Sequence, residues 1–253
     1  MSKHYATADP GMEFSRQNML FTDLRERGAD SFYNSNVPGI YAAFPENNGV
    51  VSCIDEGTPH GHIRFAGSGI LNENIFDFMQ KLRMDDKLAC ITSHDECGAA
   101  GLFAKQHSLK LSEADAYAKE FSRHLAKQLG VSYRHIPMEE MKRPAGLHTA
   151  RIIYYVGADA FDPLVSGVPN GFVISRAHMD GKNAQKEAGI AAKIAFGGHG
   201  FGELFMKSAP LHVVAIGDPR ENALSTGSLL EELKPLAAEY KSKVRIDGFT
   251  APF

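Results

Sequence analysis

The sequence predicts an α/β fold in which helices flank a mainly parallel β-sheet. Short apolar runs alternate with helix-period patterns from residue 49 onward, as they do in βαβ units. Hydrophobic residues make up 43% of the 253 positions and charged residues 23%, which is ordinary for a globular domain. This composition excludes a collagen, a coiled coil and a disordered chain, and we find no internal repeat or charge block.

The apolar runs predict the strands, and the helical patterns between them predict the helices. Strands are expected at 50–54, 88–92, 132–136, 151–156, 171–175 and 211–216. Helices are expected at 70–82, 112–129, 183–195 and 229–240. The helix at 112–129 has the clearest signals, because Ser112 and Asp115 match a capping box and Gly130 is a typical C-terminal cap.

We divide the chain into an arm and one domain. Residues 1–48 are polar and rich in turn signals, with only a weak helical pattern at 16–27. They are predicted to form an N-terminal arm or cover. Residues 49–253 are predicted to form a single α/β domain, and this length is ample for a hydrophobic core.

The net charge and the composition of the chain exclude some classes of binding partner. A net charge of −3 argues against a dedicated nucleic-acid binder, which needs clustered Lys and Arg. No stretch approaches the ~20 apolar residues that span a bilayer, and residues 1–10 have no signal-sequence pattern. Three cysteines are not a disulfide framework. We therefore expect a cytoplasmic protein with no nucleic-acid or membrane partner, whose cysteines serve metal binding or catalysis.

Two motifs lie at the carboxyl ends of predicted strands, where the functional sites of parallel-sheet proteins are usually found. The first predicted strand ends in Cys53-Ile54-Asp55, and His94 and Cys97 follow the second strand. If these two strands are neighbours, their carboxyl ends lie about 5 Å apart. Two thiolates and an imidazole at one point form a soft site suited to zinc. The fourth position would be left for Asp55, water or substrate.

Other interpretations of the same residues stay open at this point. Cys53 and Cys97 can be small buried residues, with His94 merely capping a helix. Alternatively, Cys97 near a helix N-terminus can be a nucleophile with a lowered pKa. Cys90 is a poor ligand candidate, because it lies four strand residues before His94, roughly 13 Å away. We expect it to be a buried structural thiol.

These motifs resemble those of the β-class carbonic anhydrases. The matching stretches are Val-Ser-Cys-Ile-Asp at 51–55, Ile-Arg-Phe-Ala-Gly at 63–67 and Ile-Thr-Ser-His-Asp-Glu-Cys-Gly-Ala at 91–99. The resemblance covers roughly residues 49–105. It implies a zinc-centred α/β fold of that family, with Zn²⁺ held by Cys53, His94 and Cys97. It also implies assembly as a homodimer or higher, with the active site near the subunit boundary.

The implied reaction is hydration, in which zinc-bound hydroxide attacks carbon dioxide or a similar small electrophile and yields a bicarbonate-like product. Asp55 would orient the zinc-bound water, or occupy the fourth coordination position when the site is closed. Backbone amides at Gly98 and Ala99 are expected to stabilise the developing oxyanion and so to bind substrate. The protein is thus expected to be a zinc lyase of the carbonate dehydratase type.

One departure from the family pattern leaves alternatives. The family has an Arg two residues after the Asp, which holds the Asp away from the metal, but this chain has Gly57 there. Asp55 is then freer to ligate zinc and exclude water, although Arg64 could substitute for the missing group. The alternatives are a zinc-stabilised protein without hydratase activity, or a zinc hydrolase of another small molecule.

Further histidines and one glycine-rich segment are weaker candidates. His60 and His62 could shuttle protons or touch the metal, although a surface-loop role is favoured for both. The segment 196–202 contains His199 and four glycines but matches no nucleotide-binding motif, so we expect a structural role. His199 is a candidate for supporting the metal site from outside its ligands. Asp218 and Arg220 are expected to pair with each other in a loop.

Overall fold

The computed structural model describes residues 9–59, 61–165 and 167–253, and within them the strands form two four-stranded sheets. The first sheet contains β1 (Val50–Ser52), β2 (Ile63–Arg64), β3 (Cys90–His94) and β4 (Ser132–Ile136), in the order β2-β1-β3-β4. The second contains β5 (Ile152–Val156), β6 (Phe172–Ser175), β7 (Leu211–Gly217) and β8 (Val244–Thr250), in the order β6-β5-β7-β8. Every pair in both sheets is parallel, which confirms the predicted fold class.

The two sheets repeat one topology, which the sequence did not reveal as a repeat. In each, the first strand lies between the second and the third, and the fourth forms the far edge. The sheets meet along β2 and β6. Beside this contact, the Val173 amide of β6 donates over 3.0 Å to the carbonyl of Ile54, which follows β1. The Ser175 hydroxyl accepts from the Arg64 amide at 2.8 Å and donates to the His62 carbonyl at 3.2 Å. Ser175 therefore joins the two sheets.

Helices cover the sheets as a parallel arrangement requires. Connections in the first half contain α4 (Ile75–Arg83), α5 (Gly98–Gln106) and α6 (Ala114–Leu129). Those in the second half contain α7 (Gly181–Ala195) and α8 (Thr226–Tyr240). The main hydrophobic core joins these helices to both sheets. No helix in the described ranges combines the length and apolarity that a bilayer crossing needs.

Between residue 9 and the first strand, the structure has three helices: α1 (Pro10–Arg27), α2 (Ala29–Asn34) and α3 (Val37–Ala42). Their buried side chains, among them Phe21, Tyr33 and Ile40, form a second core cluster with one face of the second sheet. Alternate residues of β5 contribute to this cluster and to the main core. Because both faces of β5 are covered, all of its residues are buried, and its sequence is a continuous apolar and aromatic run.

Candidate metal centre

The three predicted ligand residues come together at the carboxyl edge of the first sheet. Cys53 follows β1 directly, His94 ends β3, and Cys97 is the N-cap residue of α5. β1 and β3 are neighbouring parallel strands, so the condition under which the two motifs meet is fulfilled. All three side chains are buried, and their ligand atoms lie within 4.8 Å of one another. The structure therefore contains a Cys-His-Cys cluster that could hold a metal ion.

The geometry of the cluster fits a tetrahedral soft metal. The two Sγ atoms are 3.9 Å apart. Two Zn–S bonds of ~2.3 Å at a tetrahedral angle would place them about 3.8 Å apart. His94 Nδ1 lies 2.8 Å from the Asp95 carbonyl, whereas its Nε2 is buried with no hydrogen-bond partner among the described residues. A ring nitrogen fixed by a backbone carbonyl, with the other nitrogen left open, is typical of a metal-binding histidine.

Two of the ligand groups, Cys53 and His94, hold protons when no cation is bound. Burial raises the pKa of the Cys53 thiol well above its ordinary value, and the neighbouring Cys97 thiol adds to this. Burial lowers the pKa of His94, but the charge of Asp55, with a smaller contribution from the neighbouring Cys53, outweighs it and raises this pKa to about 9. A divalent cation has to displace these protons, so the metal affinity of the cluster should rise with pH.

A left-handed loop after β2 supports the sulfur of Cys53. The Gly67 amide donates to Cys53 Sγ over 3.2 Å, and Gly67 has a φ of +55°. A Cβ at Gly67 would lie 2.5 Å from Ile70 Cγ2, so the position requires glycine for space as well as for conformation. The preceding amide, of Ala66, donates to the buried carboxyl of Glu187 over 2.6 Å. Glu187 thus anchors the loop that contacts the cluster.

Asp115 supports the opposite side of the cluster. Its carboxylate accepts the amide of Glu96 at 2.9 Å and that of Cys97 at 3.2 Å. The predicted capping box at the start of α6 is therefore wrong, because α6 begins without a side-chain cap. Asp115 caps the turn that presents Cys97 instead. The predicted end of the helix is confirmed, since Gly130 is left-handed with a φ of +72°.

Asp55 has an arginine partner, but not at the position that the sequence pattern indicated. Arg143 Nε lies 3.0 Å from each oxygen of the Asp55 carboxylate, and both side chains are buried. The Gly57 amide also donates to Asp55 Oδ1 over 2.8 Å. A Cβ at Gly57 would lie 2.6 Å from Arg143 Cγ. Position 57 is therefore small because the side chain of Arg143 occupies the space beside it.

This pair fixes the charge and position of Asp55. Burial raises the pKa of Asp55, but the charges of Arg143, His94 and His148 outweigh it and hold the pKa well below its usual range. Asp55 Oδ2 lies 3.9 Å from His94 Nε2, close to the cluster. The expectation that Asp55 lacks an arginine partner is wrong, because Arg143 holds it from a distant segment of the chain.

Arg64 does not take the role of the missing arginine. Its guanidinium donates to the Cys53 carbonyl at 3.1 Å and to the Thr58 carbonyl at 2.9 Å. Burial lowers the pKa of this fully buried group. Arg64 therefore braces the backbone of the segment that carries Cys53 and Asp55.

A buried histidine and glutamate beside Asp55 were missed by the sequence analysis. His148 Nδ1 lies 3.0 Å from Glu56 Oε2 and 3.6 Å from Asp55 Oδ2, and all three residues are buried. The Thr149 amide also donates to Glu56, over 2.6 Å. The only signal available was the position of Glu56 next to Asp55, because His148 belongs to no recognisable motif.

Gly98 and Ala99 form the first turn of α5, where the backbone N–H groups have no partners within the helix. Gly98 lines a cavity of about 410 Å³, which Cys97, Arg143 and His148 also line, whereas Ala99 is fully buried and outside this lining. His199 lines the same cavity, and its carbonyl accepts the His148 amide over 2.5 Å. The glycine-rich segment around His199 thus forms part of the cavity wall.

The remaining candidates lie elsewhere. His60 is outside the described residues. His62 is buried, so the favoured surface-loop role is wrong for this residue. Its Nδ1 accepts the Asn48 amide over 3.1 Å at the amino end of β1, opposite to the cluster. Cys90, at the start of β3, is half-buried and outside the cluster. Arg220 pairs with Asp218 at 2.7 Å, as expected.

The site is thus a buried Cys-His-Cys cluster with a carboxylate–guanidinium pair beside it and a cavity next to it. Comparisons of the chain with models of protein families, with curated proteins and with solved structures found no match. The chemistry of the site therefore has to be argued from its own residues.

Proposed function

We propose that this protein is a zinc-dependent hydratase that adds water to carbon dioxide. Cys53, His94 and Cys97 would hold the zinc. The observation that carries the proposal is the buried Asp55–Arg143 pair beside this three-residue cluster. Structural zinc sites have four protein ligands, whereas catalytic sites have three and keep one position open. Because Arg143 and Gly57 hold Asp55, this carboxylate is positioned to act next to the open position rather than to fill it.

Zinc in this site would lower the pKa of a coordinated water to ~7 and so supply a nucleophile at neutral pH. Asp55 is ionised and can therefore only accept a hydrogen bond, which fixes the direction of the attacking oxygen. Arg143 and the Gly57 amide keep Asp55 in that orientation. The role of Asp55 is that of an orienting acceptor.

Two further groups complete the proposed reaction. The first-turn N–H groups of α5, at Gly98 and Ala99, offer donors to the oxyanion that develops as carbon dioxide is attacked. His148 lines the cavity and is paired with Glu56, so it carries the released proton from the site toward solvent.

Arg143 also bears on the choice between a hydratase and an inactive, zinc-stabilised protein. The inactive alternative requires that Gly57 leave Asp55 without a cationic partner, so that Asp55 is free to close the metal site. Arg143 supplies that partner with both side chains buried. The site therefore supports the hydratase better than the inactive alternative.

The test combines metal analysis with a stopped-flow assay of carbon dioxide hydration across pH. The purified protein should contain one zinc per chain and hydrate carbon dioxide, with a rate that rises toward alkaline pH. Cys97→Ser should lose the metal and the activity. Cys90→Ser is the matched control, because Cys90 lies outside the cluster and should keep both.

Asp55→Asn separates metal binding from turnover. This variant preserves the shape of the side chain but removes its charge, and it therefore weakens the interaction with Arg143. We expect zinc to stay bound while hydration falls by at least ~10²-fold, the scale of one lost preorganised transition-state contact. A zinc-loaded wild-type protein with no hydration at any pH would refute the proposed function.

A further inference from the structure

We infer that the 410 Å³ cavity above the metal cluster is a binding site for a small organic anion, with a carboxylate or phosphate head and a short apolar body. The binding itself is independent of the proposed function. Its predicted consequence, blocked access to the cluster, rests on that function.

The size of the cavity exceeds what carbon dioxide requires. Binding sites for organic ligands are typically ~300–1,000 Å³, and 410 Å³ falls within that range. The wall also has an apolar part, formed by Leu102, Leu111, Leu147 and Ile194. A ligand that fills this space therefore needs a chain of several carbon atoms, and carbon dioxide has only one.

The charge of the wall favours an anion. Its two carboxylates are already engaged: Glu96 accepts the Gly146 amide at 2.6 Å and lies 3.5 Å from Arg143, and Asp115 accepts two backbone amides. The ammonium groups of Lys105 and Lys193 have no ion-pair or hydrogen-bond partner in the described part of the chain. Two unpaired cations thus remain at the exposed rim.

The helix that forms one wall adds to this charge. Gly98, Gly101, Leu102 and Lys105 all line the cavity, and their spacing places them on one face of α5. The first turn of this face presents free N–H groups and the positive end of the helix dipole. An oxyanion in the cavity can therefore interact with the start of α5 and with the lysines at the rim.

Some residues that line the cavity also belong to the proposed reaction site. Cys97, Arg143 and His148 all line it, so a bound anion would lie between solvent and the metal cluster. An occupied cavity would block access to Asp55 and the proton route through His148. Occupancy should therefore inhibit hydration.

The test is calorimetric titration of the full-length protein with succinate, and with succinamide as an uncharged ligand of similar shape. We expect succinate to bind and succinamide to bind at least ~10-fold more weakly. In Lys105→Gln/Lys193→Gln, succinate affinity should fall about tenfold, since each exposed ion pair contributes up to ~1 kcal/mol and 1.4 kcal/mol is tenfold. Lys127→Gln/Lys207→Gln removes the same charge from exposed positions outside the cavity and should bind like wild type.

The same titration with chelator-treated protein distinguishes the cavity from the metal. Succinate should still bind, although metal removal loosens the start of α5, and the lysine substitutions should still weaken this binding. Binding that disappears with the metal and ignores the lysine substitutions would overturn the inference, as would equal binding of succinate and succinamide. Succinate binding in a protein that never hydrates carbon dioxide would leave the inference standing and refute only the proposed function.

Discussion

At the residue scale, the partner of Asp55 decides how the metal cluster can work. Asp55 and Arg143 are 88 positions apart in the sequence, so no local motif could reveal the pair. The sequence did show that the expected arginine was missing at Gly57. It could not show that the missing side chain had been replaced from another segment, because that depends on how the loop after β4 folds back over the cluster. Within the same site, the three proposed ligands were predictable, because each follows an identifiable strand.

Glu187 is a second residue whose role depends on tertiary structure. It lies on α7, is fully buried, and accepts the Ala66 amide of the loop that contacts Cys53. Burial raises its pKa from 4.5 to about 7, although the bond from Ala66 opposes the shift. The folded state therefore favours the protonated acid, and the stability that this provides is present at low pH and lost as pH rises through about 7.

We predict that Glu187→Gln removes this pH dependence. Glutamine keeps an oxygen for the Ala66 amide but does not ionise. The free energy of unfolding of the variant minus that of wild type should be roughly 3 kcal/mol larger at mildly alkaline pH than at acidic pH, because only the wild type loses stability as Glu187 ionises. Urea unfolding of both proteins over this pH range measures the difference. A difference that stays constant with pH would contradict the assigned state of Glu187.

At the element scale, strands were predicted better than the short segments between them. Each predicted strand overlaps an observed one. β5 and β7 are buried along their whole length and are largely apolar, whereas β4 is buried only at Ile136. Two strands were missed. β2 has only two residues, Ile63–Arg64, too few to show a pattern. β8, Val244–Thr250, is only partly buried along most of its length and contains polar residues, so it lacks an apolar run.

The loop between β2 and α4 is the element that ties the metal cluster to the rest of the fold. Gly67 and Ser68 both have positive φ, of 55° and 56°, and Gly69 follows at 101°. Ser68 Oγ donates to the Thr92 carbonyl over 2.6 Å, which fixes the loop to β3. These left-handed residues orient the Gly67 amide toward Cys53 Sγ.

We predict that Gly67→Ala loosens the metal and destabilises the protein by about 2 kcal/mol, from left-handed strain of 1–2 kcal/mol and the contact with Ile70. Gly189→Ala is the matched control. A Cβ there meets no atom within 4 Å, and alanine favours the helix. Urea unfolding and the rate of zinc loss to a chelator are the measurements. Wild-type zinc release from Gly67→Ala would contradict the role of the loop.

At the scale of the whole molecule, two halves share one topology but only one carries the cluster. All three cysteines, at 53, 90 and 97, belong to the first half. In the second half, the loops after β5 and β7 carry Asp159 and Asp218, which hydrogen-bond with His178 and Arg220 respectively. The repeated topology escaped the sequence analysis because strand order is set by packing of the helices and leaves no repeated motif.

This asymmetry predicts how the molecule responds to metal removal. Metal binding free energy is coupled to folding of the segments that carry the ligands. Chelation should therefore reduce the hydrogen-exchange protection of amides in the first sheet much more than in the second. Exchange measured by mass spectrometry with and without chelator tests this. Equal losses in both sheets would show that the cluster does not stabilise the first half selectively.

The most direct test of the account is X-ray absorption at the zinc edge of the purified, zinc-loaded protein. We predict two sulfur neighbours at ~2.3 Å, one imidazole nitrogen at ~2.0–2.1 Å and one further light atom. Cys90→Ser should give the same spectrum, and Cys53→Ser should lose the metal or one sulfur. A zinc shell containing only nitrogen and oxygen would contradict the central claim that Cys53, His94 and Cys97 form the metal centre.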